Sequence, residues 1–163
     1  MIFLGIDPGE TLIGTGVIKK EKNSLSFIDY KAIRVKKELN QQEKLNYVYE
    51  NIISLIDKYN PDYIGIESLF FYSNLKTAIK VSQTRGVILL ACLHKKKKII
   101  EFTPLQVKQA ISGYGRADKR QIQLMVKAIL NLKEIPKPDD CADALALAIC
   151  AANSYKNPKI NKN

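Results

Sequence analysis

The sequence predicts an α/β protein in which a mixed sheet is flanked by helices. Short apolar segments of strand length are followed by longer segments of helical period, and the first three strand-like segments have the short connections of an antiparallel meander. At 163 residues and 46% hydrophobic content, the chain has the size and composition of a single domain. We expect this domain to span residues 1–152 and a disordered polar tail to follow at 153–163.

Five strands and several helices account for the pattern along the chain. The first strand stops at Asp7-Pro8-Gly9, as a buried strand that ends in a tight turn would, and Gly14 and Gly16 in the second strand permit close approach of another backbone. Helices are predicted where apolar residues recur every three or four positions. The predicted strands are Ile2–Ile6, Leu12–Lys19, Leu25–Ile33, Tyr63–Ile66 and Ile99–Phe102; the helices are Gln41–Tyr59, Asn74–His94 and a helical region that continues to about Ala152.

The charge of the chain is strongly positive. Lys and Arg total 26 against 16 Asp and Glu, which gives a net charge of +10 and suits a polyanionic partner such as nucleic acid. Only four of these basic residues are arginines, and a sequence rich in Lys, Asn and Ile is also what an AT-rich genome produces. The charge alone therefore leaves both explanations open. The Lys95–Lys98 run is interpreted first as a solvated loop and second as a DNA contact.

The cysteines and the hydropathy pattern predict a soluble, cytoplasmic protein. Cys92, Cys141 and Cys150 are odd in number, lie in apolar helical segments and lack zinc-ligand spacing, which favours a reducing compartment. No segment approaches the about 18 apolar residues of a membrane span, so no membrane partner is expected. The single histidine, His94, ends an apolar helix and is interpreted as structural.

Four acidic residues stand in positions typical of a metal site. Asp7 and Glu67 each follow an apolar strand, and Asp140 and Asp143 lie on one face at the start of an apolar helix. Carboxylates brought together repel one another unless a proton, a basic group or a hard cation such as Mg²⁺ or Mn²⁺ intervenes. Each acid also has a structural alternative: Asp7 in its turn, Glu67 in a lysine pair, and Asp139 or Asp140 as a helix cap.

The segments around these acids resemble those of bacterial RuvC, the Holliday-junction resolvase family. The resemblance covers about residues 1 to 152 in order. Two departures are Thr15, between two glycines where relatives often carry an aromatic residue, and Glu10, an additional negative charge close to Asp7. The matching segments are Gly5–Gly9, Gly14–Ile18, Ile66–Phe70, Gln83–Gly86, Pro104–Lys108, Gly113–Gln121 and Asp140–Ala146.

This resemblance implies a ribonuclease-H-like fold with a five-stranded mixed sheet, a homodimer, and symmetric cleavage of two opposed strands of a four-way DNA junction. It implies Asp7, Glu67, Asp140 and Asp143 as catalytic ligands of two Mg²⁺ per active site, with Mn²⁺ as a substitute. In this hypothesis Asp7 bridges the cations, and cleavage leaves 5′-phosphate and 3′-hydroxyl ends. The RuvA–RuvB branch-migration complex is a candidate partner.

Basic residues near a glycine-bearing segment are predicted to hold DNA phosphates: Lys108, Arg116, Lys119 and Arg120. The alternative is a solvated helix start. Phe70 is predicted to stack on a base unstacked at the crossover, the alternative being a place in the core.

Three other functions are consistent with parts of the pattern. A ribonuclease-H-fold nuclease acting on RNA would share the acids, although the basic glycine-bearing segment favours the resolvase. Actin-like nucleotide-binding proteins also begin with a strand leading into Asp and Gly, but they need two such lobes and this chain has the length of one. A non-catalytic branched-DNA-binding protein is disfavoured because four acids would repel DNA without a cation.

Overall fold

A computed structural model describes residues 1–68 and 75–155 of the chain. These residues form a five-stranded mixed sheet between two layers of helices, which confirms the predicted fold class. The strands are β1 (Ile2–Asp7), β2 (Leu12–Glu21), β3 (Ser24–Arg34), β4 (Tyr63–Glu67) and β5 (Lys98–Phe102). The helices are α1 (Gln41–Tyr59), α2 (Leu75–His94), α3 (Pro104–Ser112), α4 (Lys119–Ile129) and α5 (Asp139–Ser154).

The sheet has the strand order β3-β2-β1-β4-β5, with β1 in the centre. The first three strands form the predicted antiparallel meander, whereas β4 is parallel to both β1 and β5. Ile6 of β1 is opposite Ile66 of β4. The next residues, Asp7 and Glu67, therefore leave neighbouring strands at the same edge of the sheet.

Two apolar cores cover the two faces of the sheet. One core packs Leu4 and Ile6 of β1 against α1 and α2, and the other packs Phe3 of β1 and Phe102 of β5 against α3, α4 and α5. Side chains alternate between the faces of a strand. Asp7, four residues after Phe3, consequently lies on the face that α5 covers.

Glycines let α5 pack directly on the sheet backbone. A Cβ atom at Gly5 would lie 1.8 Å from the Ala144 carbonyl oxygen, and one at Gly14 would lie 1.9 Å from the Asp140 carbonyl oxygen. Gly16 and Gly65 flank Gly5 on the neighbouring strands and also lie against α5. A Cβ atom would lie 2.7 Å from the Leu145 side chain at Gly16 and 2.5 Å from the Leu147 carbonyl oxygen at Gly65. This confirms the close approach predicted for the second strand, and it brings the first turn of α5 beside the end of β1.

Capping residues fix where the helices near the acids begin. Asp118 caps α4 by accepting from the Gln121 amide, and the Gln121 side chain accepts from the Asp118 amide in return. In contrast, α5 follows Pro138 without a side-chain cap. Asp139 and Asp140 lie in its first turn, where the helix dipole favours negative charge. The capping alternative for these two acids is therefore not seen.

The described part of the chain extends beyond the expected boundary at residue 152. The α5 helix continues to Ser154, and the Tyr155 ring centroid lies 5.6 Å from that of Phe3 and 5.7 Å from that of Tyr63. Asn153 and Ser154, at the start of the expected tail, are therefore part of α5. Residues 156–163 lie outside the described residues.

The Lys95–Lys98 run lies at the amino ends of β4 and β5, away from Asp7 and Glu67. Lys95 pairs with Asp57, with Nζ and Oδ1 2.6 Å apart, and Lys97 donates to Asn60 Oδ1 at 2.6 Å. The Lys98 ammonium lies 5.3 Å from the centre of the Tyr63 ring. These contacts support the interpretation of the run as a surface loop. No helix among residues 1–68 and 75–155 is long and apolar enough to cross a bilayer.

Candidate active site

Acidic side chains from three elements meet at the carboxyl ends of β1 and β4. Asp7 from β1, Glu67 from β4 and Asp143 from α5 line a cleft of about 220 Å³. Asp140, almost one helical turn before Asp143, is close enough that its charge raises the pKa of both Asp7 and Asp143. The structure thus brings the four predicted acids together, three in the wall of the cleft and one beside it.

The environment of Asp7 opposes its ionisation. Burial is the largest cause of a pKa raised to about 8, and the charges of Asp143, Glu67 and Asp140 raise it further. Burial is also the main cause of the raised pKa of Glu67 and of Asp143. These carboxyl groups therefore titrate as a coupled set that would be stabilised by protons or by cations.

Lys119 lies among the acids. Its Nζ is 3.2 Å from Asp143 Oδ2 and 3.5 Å from Asp139 Oδ2, and its charge lowers the pKa of Asp7 and of Glu67. Sequence reasoning placed Lys119 with the phosphate-binding residues and missed its pairing with Asp139. The pairing has no local sequence signal, because it arises only when α4 packs against α5.

The donor chemistry of the cleft fits hard cations. All four predicted ligands are carboxylates, which suit Mg²⁺ or Mn²⁺. Within residues 1–68 and 75–155, however, no three His, Cys, Asp or Glu side chains lie close enough together to surround one ion. In this arrangement, the Lys119 ammonium partly neutralises the acidic set through Asp143.

Residues of α3 and α4 also line the cleft. Lys108 lines it beside the acids, together with Pro104 and Val107 of α3. Arg116, three residues before α4, and Arg120, in its first turn, are both exposed. Phe70, the predicted stacking residue, lies outside the described residues.

The two departures from the family pattern are accommodated locally. Glu10 pairs with Lys80 of α2, with Oε1 and Nζ 2.5 Å apart, so its negative charge is balanced close by. Thr15 is buried, and its hydroxyl donates to the Lys31 carbonyl at 2.8 Å. His94 lies at the other end of α2, where its Nδ1 and the Tyr49 hydroxyl are 2.7 Å apart; this supports a structural role.

Comparison with known proteins gives the family. Residues 3–151 match the family described as Crossover junction endodeoxyribonuclease RuvC. The chain belongs to the RuvC family. RuvC from Halothermothrix orenii is 53% identical to it over 96% of this chain and 94% of its own length. RuvC from Clostridioides difficile is 52% identical over 100% of this chain and 96% of its own length.

Solved RuvC structures share the fold. The structure of Thermus thermophilus RuvC has a TM-score of 0.86 and 32% identity, with 95% of each chain covered. The same protein in complex with a Holliday junction substrate has a TM-score of 0.86 and 29% identity. The sheet and helices described above are accordingly the ribonuclease-H-like fold of RuvC. Membership of this family removes the actin-like nucleotide-binding alternative.

Proposed function

We propose that this chain is a Holliday-junction resolvase that acts in DNA recombination and repair, cutting two opposed strands of a four-way junction by metal-dependent hydrolysis. The observation that carries the proposal is the convergence of Asp7, Glu67, Asp140 and Asp143 at one edge of the sheet in a member of the RuvC family. The products would carry 5′-phosphate and 3′-hydroxyl ends.

The four acids would hold two divalent cations, Mg²⁺ or, as a substitute, Mn²⁺. When bound, such a pair supplies an activated water and stabilises the departing oxygen of the phosphodiester. Asp7 is the natural shared ligand, since the charges of the other three acids all act on it. Glu67 would serve one cation, and Asp140 with Asp143 the other.

Lys119 has two successive partners in this proposal. In the structure its ammonium neutralises part of the acidic set through Asp143. With divalent cations held by the same acids, the Lys119 ammonium would be released to contact a DNA phosphate near the cleft. Lys108 in the cleft wall and the exposed Arg116 and Arg120 would hold the DNA backbone. Stacking of Phe70 on a base unstacked at the crossover remains part of the proposal and rests on the family resemblance.

Symmetric cleavage requires two active sites and therefore two copies of the chain. The α2 helix buries Ile88 and Cys92 against the sheet but exposes Ile79, Leu90 and Leu93 by 51%, 48% and 63%. We propose that this exposed stripe of α2 forms the contact of a homodimer. We also propose a RuvA–RuvB branch-migration complex as a further partner. A cytoplasmic location is proposed because the three cysteines are buried and free, as is usual in a reducing compartment.

A cleavage assay tests the proposed function. The protein is incubated with a synthetic four-way junction, a linear DNA duplex or an RNA–DNA hybrid, in Mg²⁺ or in EDTA. We expect paired, symmetric nicks that DNA ligase can seal, on the junction alone and in Mg²⁺ alone. Equal cutting of the duplex, or preferential cutting of the hybrid, would reject the proposal. Glu67→Gln serves as the inactive control.

A further inference from the structure

An arginine on the far face of the sheet holds the end of β4. The Nε of Arg85, on α2, donates to the Glu67 carbonyl oxygen at 3.1 Å, and its guanidinium also pairs with the Glu101 carboxylate of β5. The Arg85 side chain is only 12% exposed. Glu101 lies between Ile100 and Phe102, which pack toward α5, so Glu101 points to the opposite face. Arg85 thus bridges β4 and β5 from behind the acidic cleft.

The peptide group that joins Glu67 to Ser68 is bonded at both polar ends. Its carbonyl accepts from Arg85, and its N–H donates to the Phe102 carbonyl at 2.9 Å. The Ser68 hydroxyl donates to the same Phe102 oxygen at 3.1 Å. Because a peptide group is planar, fixing both ends fixes its plane. Together with the pairing of β4 to its neighbouring strands, this restricts the direction in which the Cα–Cβ bond of Glu67 leaves the strand.

The contact of Arg85 with Glu67 is to the main chain, and Glu101 engages the arginine charge. The charges that act on the Glu67 carboxyl pKa are those of Asp143, which raises it, and Lys119, which lowers it. An arginine suits the bridging role because its planar guanidinium offers several donors in fixed directions, whereas a lysine ammonium offers one centre.

We propose that Arg85 is a positioning residue that aims the Glu67 carboxylate into the acidic cleft by bonding the Glu67 carbonyl from α2. The inference rests on the proposed function, because it assumes that Glu67 is a metal ligand. Arg85 itself contacts neither metal nor DNA in this proposal. Its loss should weaken metal binding and leave the grip on the junction unchanged.

The test compares Arg85→Ala and Arg85→Lys with the wild type. Mn²⁺ affinity is measured on the DNA-free protein by electron paramagnetic resonance, and junction affinity is measured without divalent cations. We expect Mn²⁺ affinity to fall about tenfold in Arg85→Ala and by less in Arg85→Lys, with junction affinity within twofold of wild type. Lys95→Ala is the matched control. Lys95 also pairs with an acid, Asp57, but it follows the carboxyl end of α2, away from Glu67.

Wild-type Mn²⁺ affinity in the arginine variants would overturn the proposal, as would a loss of junction affinity with Mn²⁺ binding intact. If Arg85→Ala does not fold, Arg85→Lys alone decides by the same criteria. Glu67→Gln distinguishes a failure of the proposed metal-binding role of Glu67 from a failure of the positioning role of Arg85. Full Mn²⁺ binding by Glu67→Gln would reject the role of Glu67 itself, whereas impaired binding by Glu67→Gln beside normal arginine variants would reject only the positioning role.

Discussion

Asp7 holds a buried carboxyl group whose charge the surrounding acids oppose. Its pKa in the folded chain, about 8, is above the ordinary value of 3.8. The contribution of protonated Asp7 to the free energy of unfolding is therefore fully present below about pH 4. It is lost as the pH rises to about 8, because Asp7 ionises at a lower pH in the unfolded chain than in the folded chain. Burial of this acid therefore lowers the free energy of unfolding of the metal-free protein at neutral pH, and the same burial forms a site that can accept cations.

Asp7→Asn should separate stability from activity. Asparagine cannot ionise, so the variant should be more stable than wild type in EDTA at pH 8, by about 2 kcal/mol or about 5 °C in Tm. The difference should shrink toward pH 4. Cleavage should be abolished while junction affinity is retained. Thermal unfolding at both pH values and a binding assay check this; equal stability at pH 8, or cleavage by the variant, would contradict it.

Lys119→Ala tests whether the cleft lysine reaches DNA. If the Lys119 ammonium contacts a phosphate in the complex, its removal should weaken binding to all junction sequences. The slope of log affinity against log salt should become shallower by about one. Lys95→Ala, at the amino ends of β4 and β5, should leave the slope unchanged. An unaltered slope for Lys119→Ala would mean that this lysine only neutralises Asp143.

At the scale of elements, the position of α5 on the sheet determines where Asp140 and Asp143 lie. The helix meets β1 backbone to backbone at Gly5, where the Ala144 carbonyl leaves no room for a side chain. A change that lifts α5 would therefore move two of the four acids away from the other two. The glycines of the strands belong to the active-site architecture even though they contribute no functional group.

Gly5→Ala should consequently destabilise the fold by about 3 kcal/mol or more, because the added Cβ meets rigid backbone. Any folded fraction should cleave poorly. Gly115→Ala is the matched control, since the nearest atom to its added Cβ is the Leu105 Cδ1 at 2.7 Å, at the end of a flexible side chain. Denaturant unfolding measures both variants. Wild-type stability of Gly5→Ala would show that α5 can move without cost.

The sequence was sufficient for the elements with a strong local period and for the acids at their ends. Asp7 and Glu67 were predicted to meet because each follows a buried strand, and α1 was predicted with the bounds that the structure has. Contacts that form only through packing were beyond sequence reasoning. The Lys119–Asp139 pair depends on how α4 meets α5, and the Arg85 bond to the Glu67 carbonyl has no side-chain pattern because its acceptor is main chain.

At the scale of the whole molecule, one cleft can cut one strand, so paired cleavage depends on a second copy. Leu90→Glu combined with Leu93→Glu places charges on the exposed stripe of α2 and should convert the proposed dimer to a monomer. Light scattering measures the mass, and nick mapping on a cruciform plasmid shows whether the two cuts remain coupled. We expect a monomer that makes uncoupled single nicks. Ile28→Glu, at an exposed apolar position on β3, is the control; an intact dimer in the α2 variant would place the interface elsewhere.

Anomalous X-ray scattering from crystals grown with Mn²⁺ tests most directly whether the four acids form one metal site. We predict Mn²⁺ peaks about 2.2 Å from carboxylate oxygens of Asp7 and of at least one acid from another element, Glu67, Asp140 or Asp143. The peaks should disappear in Asp7→Asn. Ions bound elsewhere, or a cleft without Mn²⁺ at millimolar concentration, would contradict the account.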